Sequence, residues 1–226
     1  KRVSELKFGI DRKVIYVDIG QYDSREIHPD LICLCSILLC NPFVGKKLKI
    51  NFPMSEKFQK TCQTVISRYE LMPGTSVIDP NLEISDGVPG LAFSGGADST
   101  AALAILPRNS IPIFLLREEE KHSVYNPEAA LRTCDELADC GFLVKKVISD
   151  LEYIRNPVGF PTDLANSIPA ILLSGFLELD SISFGTVMES AFGIGHEEFV
   201  EYGKGAHWRF YSKIFESAGL KLSMPT

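Results

Sequence analysis

Hydrophobic and polar positions along the chain alternate in two rhythms, and the change of rhythm locates the elements. Lys13 to Val17 and Lys47 to Asn51 read as strands. His28 to Leu39 is apolar on nearly every side and reads as a buried helix, with Pro29 suited to its first turn. From Ser55 to Tyr69 the residues Phe58, Cys62, Val65, Ile66 and Tyr69 recur at helical spacing, which predicts an amphipathic helix. The stretch 73–90 then breaks the pattern with Pro73-Gly74, Asp79-Pro80-Asn81 and Asp86-Gly87-Val88-Pro89-Gly90, clusters that mark turns and linkers. A boundary is expected there, with a small α/β region at 1–85 and a larger domain at 86–226.

Beyond residue 86 the rhythm becomes a regular alternation. Strands are expected at Leu91–Phe93, Ile111–Leu116, Val144–Ile148 and Ser181–Phe184. Helices are expected at Asp98–Leu106, Pro127–Cys140 (stopped by Gly141), Asp163–Leu177 (offset or kinked near Pro169) and His207–Ser217. Strands separated by helices imply an α/β fold, a Rossmann-like parallel sheet with helices on both faces. Ligands of such sheets bind beyond the carboxyl ends of the strands.

Composition narrows the function classes. At 226 residues, 45% hydrophobic and 23% charged, the chain suits one large α/β domain or one domain plus a small partner. It begins at Lys1 and ends at Thr226 without the look of natural termini, so it reads as an excerpt. A net charge of −6 argues against non-specific binding to nucleic acid, which needs clustered Lys and Arg to neutralise phosphates. The longest apolar run, Leu31 to Leu39, falls short of the roughly 20 residues needed to cross a bilayer. The six cysteines, Cys33, Cys35, Cys40, Cys62, Cys134 and Cys140, contain no Cys-x-x-Cys pair and are expected to be reduced residues, mostly of the core. That usage fits the cytoplasm.

One motif carries chemistry. Ser94-Gly95-Gly96-Ala97-Asp98-Ser99-Thr100 follows an expected strand and opens an expected helix. The two glycines permit a tight turn whose backbone N–H groups face a ligand, and a helix N-terminus favours an anion. Ser94, Ser99 and Thr100 add hydroxyl donors for phosphate oxygens. Asp98 repels phosphate, so its expected work is capping the turn or placing Mg²⁺. A Ser/Gly turn with a helix cap and no ligand is the plainer alternative, but chance matches to five fixed positions run on the order of 10⁻⁴ in a chain of this size. No Gly-Lys-Ser/Thr follows the glycines, so this is not a Walker loop.

Ser-Gly-Gly-x-Asp-Ser resembles the signature of the PP-loop ATP pyrophosphatases, a family with GMP synthetase, NAD synthetase, asparagine synthetase and tRNA thiolases among its members. The resemblance spans roughly residues 88–200 and is motif-deep at 94–99. It implies cleavage of ATP to AMP and pyrophosphate, adenylation of a carbonyl or carboxylate oxygen, and displacement of AMP by a nitrogen or sulfur nucleophile. The nearest likeness is to 7-cyano-7-deazaguanine synthases. Lys121-His122 stands where that group has Arg-His, Gly185-Thr186-Val187 where it has a glycine-led loop, and Glu197-Glu198-Phe199 where it has Pro-Glu-Phe. The chain departs from that group in having no cysteine after Cys140, whereas the group carries a four-cysteine zinc site near its C-terminus.

On this resemblance Ser94, Gly95, Gly96, Ser99 and Thr100 are expected to hold the β- and γ-phosphates. Ala92, Phe93, Leu116 and Arg117 are expected to line the adenosine, and Gly185 and Thr186 to face the nucleotide. Asp98 and Asp150 are the candidates for Mg²⁺, and Asp98, Ser99 and His122 for the chemistry. Asp163 reads equally well as a helix cap and Arg155 as a loop cation; Lys204, Arg209 and Lys213 are candidates for charge near pyrophosphate, and Gly193-Ile194-Gly195-His196 for a lid or turn. Trp208 reads as helix packing. The acceptor is open between a small molecule and a macromolecule, the N-terminal region is a candidate for a protein partner, and self-association is allowed. The rival reading is a module that binds ATP or AMP as a sensor without turnover.

Overall fold

The computed structural model describes residues 4–10, 13–74, 78, 81–117, 126–155, 157–185 and 206–225. Nine strands are found among them: β1 (Glu5–Ile10), β2 (Lys13–Asp18), β3 (Lys47–Ile50), β4 (Glu70–Pro73), β5 (Val88–Phe93), β6 (Ile111–Arg117), β7 (Lys145–Ser149), β8 (Leu179–Phe184) and β9 (Lys221–Ser223). The helices are α1 (Pro29–Cys40), α2 (Glu56–Val65), α3 (Ala97–Ile105), α4 (Glu128–Asp139), α5 (Ile168–Leu173) and α6 (Ala206–Ser217).

Seven strands form one sheet in the order β1-β2-β7-β6-β5-β8-β9. Strands β7, β6, β5, β8 and β9 are parallel, while the β1–β2 hairpin joins β7 antiparallel. The result is a Rossmann-like α/β sheet flanked by helices. Strands β3 and β4 make a separate parallel pair.

Alternation along the central strands sorts their side chains onto two faces. On β6, Ile111, Ile113 and Leu115 join the larger core, to which α1, α2, α5 and α6 contribute. Phe114 and Leu116 face the other way, into a cluster made with Leu91 and Phe93 of β5, Ala102 and Leu103 of α3 and Cys134 of α4. The central strands β5 and β6 are buried on both faces, which is why their sequences are runs of apolar residues, while β7, with Lys146 and Ile148 exposed, is buried on one.

Local signals explain the helix boundaries. Ser55 caps α2 by accepting from the Phe58 N–H at 3.2 Å. His28 Nδ1 accepts from the Asp30 N–H at 3.2 Å, and Pro29 occupies the first turn of α1. Gly141, at φ +88°, closes α4. The helix expected over 163–177 divides into a 3-10 turn at Asp163–Ser167 and α5, with Pro169 in the first turn of the latter. Around residue 85, where a boundary was expected, the larger core is continuous: Leu6, Val17, Leu31 and Leu38 belong to the same buried cluster as Ile113, Ile171 and Ile182.

Candidate active site at the carboxyl edge of the sheet

Strand β5 delivers the chain into the Ser94–Ser99 loop at the carboxyl edge. Gly95 has φ +76°, and a Cβ there would stand 2.6 Å from the Ala130 Cβ and 2.7 Å from its Cα. The loop therefore passes so close to α4 that only glycine fits, on backbone and on space alike.

The loop is braced by its own hydroxyls. Ser99, buried to 3% exposure, places its Oγ 3.0 Å from Ser94 Oγ and donates to the Gly96 carbonyl at 3.1 Å. The same Oγ accepts from the Ser94 N–H at 3.3 Å. Ser94 Oγ accepts from the Gly96 N–H at 3.3 Å, and Thr100 Oγ1 donates to the Gly96 carbonyl at 2.9 Å. Ser99 and Thr100 thus spend their hydroxyls on the loop itself, as struts, where the sequence suggested direct phosphate donors. The N–H groups of Ser94 and Gly96 are bonded within the loop, which leaves those of the first helical turn.

Those groups stand at the start of α3. Gly96 is its N-cap and makes no side-chain capping bond, so no side chain of the cap answers the donors of the first turn. Ser94, Gly96, Ala97, Asp98 and Thr100 are exposed. Asp98 lies in the first turn, and its carboxylate adds one hard oxygen donor beside the loop.

Gly185 closes the other side. It follows β8, and a Cβ there would meet the Asp98 carbonyl oxygen at 2.4 Å and the Ser99 Cα at 2.7 Å. The ends of β5 and β8 are neighbours in the sheet, yet β5 leads to α3 on one face and β8 leads towards α6, whose Tyr211, Ile214 and Phe215 join the core of the other. In open α/β sheets, ligands bind beyond the carboxyl ends of adjacent strands whose connections run to opposite faces. Ala92 and Phe93 are buried in the sheet, so only their backbone reaches this edge.

The remaining candidates are dispersed. Arg117 ends β6, and its Nη1 lies 3.1 Å from Glu152 Oε2, with the guanidinium carbon 5.2 Å from the centre of the Phe160 ring. Leu116 points into the smaller core. Asp150 Oδ1 accepts from the Tyr16 N–H at 2.6 Å, and neighbouring Ser149 Oγ donates to the Tyr16 carbonyl at 2.6 Å. The pair stitches β2 to β7. Asp150 is also two strands from β5, about 10 Å at ordinary strand spacing, so its observed work is structural. Arg155 Nη1 donates to the Phe160 carbonyl at 3.1 Å. Lys213 shares a hollow with Lys57, Glu83 and Ile84, residues that precede β5 and so flank the amino edge of the sheet, away from the loop. His122 and Thr186 lie outside the described residues, as do Lys121, Gly193–His196, Glu197–Phe199, Lys204 and the side chains of Trp208 and Arg209.

Glu152 was not singled out by sequence. Only its place in the apolar run Leu151–Ile154 hinted that its carboxylate is buried. It is 5% exposed, and burial pushes its pKa up while the Arg117 charge pulls it down. The described residues contain no group of three or more His, Cys, Asp or Glu placed to hold a metal ion. Magnesium bound with a nucleotide takes one or two carboxylates plus phosphate oxygens, a mode that the exposed Asp98 in the first turn of α3 fits. All six cysteines are unpaired; burial raises the pKa of Cys33, Cys35 and Cys62, and that of Cys40 to about 11, so these four are poor nucleophiles. No described helix is long and apolar enough to cross a membrane.

Comparison with known protein families, curated proteins and solved structures finds no match to this chain.

Proposed function

We propose that the protein is a Mg²⁺-dependent ATP pyrophosphatase of the PP-loop type, which adenylates a carbonyl or carboxylate oxygen and releases pyrophosphate. The observation that carries the reading is the Ser94–Ser99 loop itself. It is a glycine turn wedged against Ala130, braced internally by Ser94 and Ser99, and it runs into a helix start with no side-chain cap at the carboxyl edge of the sheet, where β5 and β8 are neighbours.

In this reading the N–H groups of the first turn of α3 receive the β- and γ-phosphates, helped by the helix dipole. The backbone at Ala92–Phe93 and Leu116–Arg117 lines the adenosine. Asp98 holds Mg²⁺, which when bound offsets the charge of the leaving pyrophosphate. Few side chains take part in proton transfer, so the rate enhancement comes from positioning and from dipoles aimed at the developing charge. A nitrogen or sulfur nucleophile then displaces AMP from the adenylated acceptor.

The test is incubation with Mg²⁺ and ATP labelled at the α-phosphate, with and without a pool of carboxylate and carbonyl acceptors, resolving AMP from ADP. AMP that disappears in an Asp98→Ala/Ser99→Ala variant is the expected result. ADP in place of AMP would refute adenylation. Tight binding with no product in any mixture would assign the site to nucleotide sensing.

A further inference from the structure

We propose that the outer edge of β1 is a self-association surface, on which β1 of a second copy of this chain pairs antiparallel about a two-fold axis at Leu6. The inference stands apart from the ATP reading. β1 lies four strands from β5 in the sheet, about 19 Å at ordinary strand spacing, so the Ser94–Ser99 loop stays clear of the contact.

β1 is the outermost strand of the seven-stranded sheet, and among the described residues no strand pairs with its outer side. The hairpin fixes which groups that side presents. Glu5 pairs with Asp18, and the pair before it is bonded, the Ile19 N–H donating to the Ser4 carbonyl at 3.0 Å. Bonded pairs alternate along an antiparallel ladder, so Leu6, Phe8 and Ile10 turn their N–H and C=O groups to β2, while Glu5, Lys7 and Gly9 turn theirs to the outer edge. Side chains alternate as well: Leu6 and Phe8 belong to the larger core, and Glu5, Lys7 and Gly9 lie on the opposite face. On that face Val14, the partner of Gly9 on β2, is 64% exposed, and a Cβ at Gly9 would meet nothing within 4 Å. Edges of this kind are templates for a further strand.

Charge selects the occupant and the register. Glu5 and Lys7 stand two residues apart on one face, with Lys7 Nζ 3.6 Å from Glu5 Oε2. Antiparallel pairing of β1 with its own copy, centred on Leu6, sets Glu5 opposite Lys7 of the second copy and Lys7 opposite its Glu5. Each of these pairs exchanges both backbone hydrogen bonds through the groups that face the edge. On the core side Leu6 meets Leu6 of the second copy, and Phe8 meets Ser4. Centring the pairing on Lys7 instead sets lysine against lysine, and centring it on Glu5 sets glutamate against glutamate, both unfavourable. Centring it between two residues sets outward groups against inward ones and forfeits the bonds. A lone edge lysine deters strand pairing. With Glu5 beside it, Lys7 specifies a partner strand that carries the same two charges in the opposite direction, which an antiparallel copy of β1 does. The contact is isologous, so it closes at a dimer and joins two seven-stranded sheets into one.

Sedimentation velocity of the full chain over a concentration series tests the pairing. The wild type is expected to pass from monomer to dimer as concentration rises. Lys7→Glu makes both cross-strand pairs acidic and Glu5→Lys makes both basic, so each is expected to weaken the dimer about 10-fold or more. Both side chains reach solvent, so both variants should keep the wild-type fold, which circular dichroism checks. Mixing the two variants is expected to restore a dimer of wild-type affinity, because the acidic strand of one then faces the basic strand of the other. A strand merely damaged by substitution would not recover on mixing. A wild type that stays monomeric at every concentration would overturn the inference and leave the edge to a strand of another protein. A dimer that both variants leave intact would place the interface elsewhere and overturn it too, as would a mixture of the variants that stays monomeric. ATP enters none of these measurements, so failure of the ATP reading would leave their outcome standing.

Discussion

Replacing Gly95 with alanine tests the phosphate loop by adding one methyl group. Two costs are expected and can be separated. At φ +76° any L-residue is strained, by about 1–2 kcal/mol. In addition the new Cβ would stand 2.6 Å from the Ala130 Cβ and 2.7 Å from the Ala130 Cα. Real Cβ contacts are not that short, so the loop or α4 has to shift, at about 1–3 kcal/mol by analogy with overpacked cores. The sum is about 2–5 kcal/mol, within reach of a domain whose total stability is about 5–15 kcal/mol. Gly141→Ala supplies the control, because Gly141 has φ +88° but nothing within 4 Å of its would-be Cβ. It should lose only the strain contribution. Urea unfolding of the two variants gives the difference, which measures the contact with Ala130 alone. Adding Ala130→Gly to Gly95→Ala should recover little of that difference, because the Ala130 Cα still stands 2.7 Å from the new Cβ. Equal destabilisation in Gly95→Ala and Gly141→Ala would refute the claim that α4 is wedged against the loop. ATP binding should fail in Gly95→Ala and survive in Gly141→Ala.

The other predictions follow from single contacts. Ser99→Ala removes a buried hydroxyl that braces Ser94 and Gly96, and should cost about 1–3 kcal/mol by thermal or urea unfolding together with nucleotide affinity, since the loop loses its shape. Asp98→Asn alters an exposed carboxylate, so stability should hold within about 0.5 kcal/mol while AMP formation loses its response to added Mg²⁺. Asp150→Asn keeps an acceptor for the Tyr16 N–H and should leave ATP affinity unchanged, whereas Asp150→Ala should cost about 1–3 kcal/mol and expose amides of β2 to hydrogen exchange; a loss of Mg-ATP affinity in Asp150→Asn would restore Asp150 to the metal site. Glu152 has a folded-state pKa raised by burial, so it binds its proton more tightly in the folded chain than in the unfolded one. Its contribution to stability is therefore greatest at low pH and declines as pH rises from the unfolded value near 4.3 through the folded one, a slope that Glu152→Gln should abolish in pH-resolved unfolding.

Periodicity reveals what each segment buries, not what it pairs with, and this divides the legible from the illegible here. The strands β5 and β6 announced themselves because central parallel strands are buried on both faces and read as apolar runs: Ile111 to Leu116 has no other stable home. The turn between β5 and α3 was equally legible, since Gly95 and Gly96 between a strand and a helix are a statement about backbone geometry. The β1–β2 hairpin was half hidden. Glu5–Ile10 alternates Leu6 and Phe8 with Glu5, Lys7 and Gly9, but nothing in the sequence near it says that the partner across β2 is β7, more than a hundred residues on. The same blindness to long-range pairing hid the work that Asp150 does between strands, because a carboxylate at a strand's carboxyl end gives no sign that the Tyr16 N–H will bond to it. It also concealed Glu152, whose meaning depends on Arg117 from another strand. Ser99 shows a subtler limit. Its position marks it as part of the site, yet only the Gly96 carbonyl and the Ser94 hydroxyl within reach reveal that it shapes the loop from beneath. A hydroxyl in a phosphate motif can thus be indispensable without pointing at phosphate, and loss of ligand in a Ser99 variant says little about contact until the loop's own stability has been measured beside it.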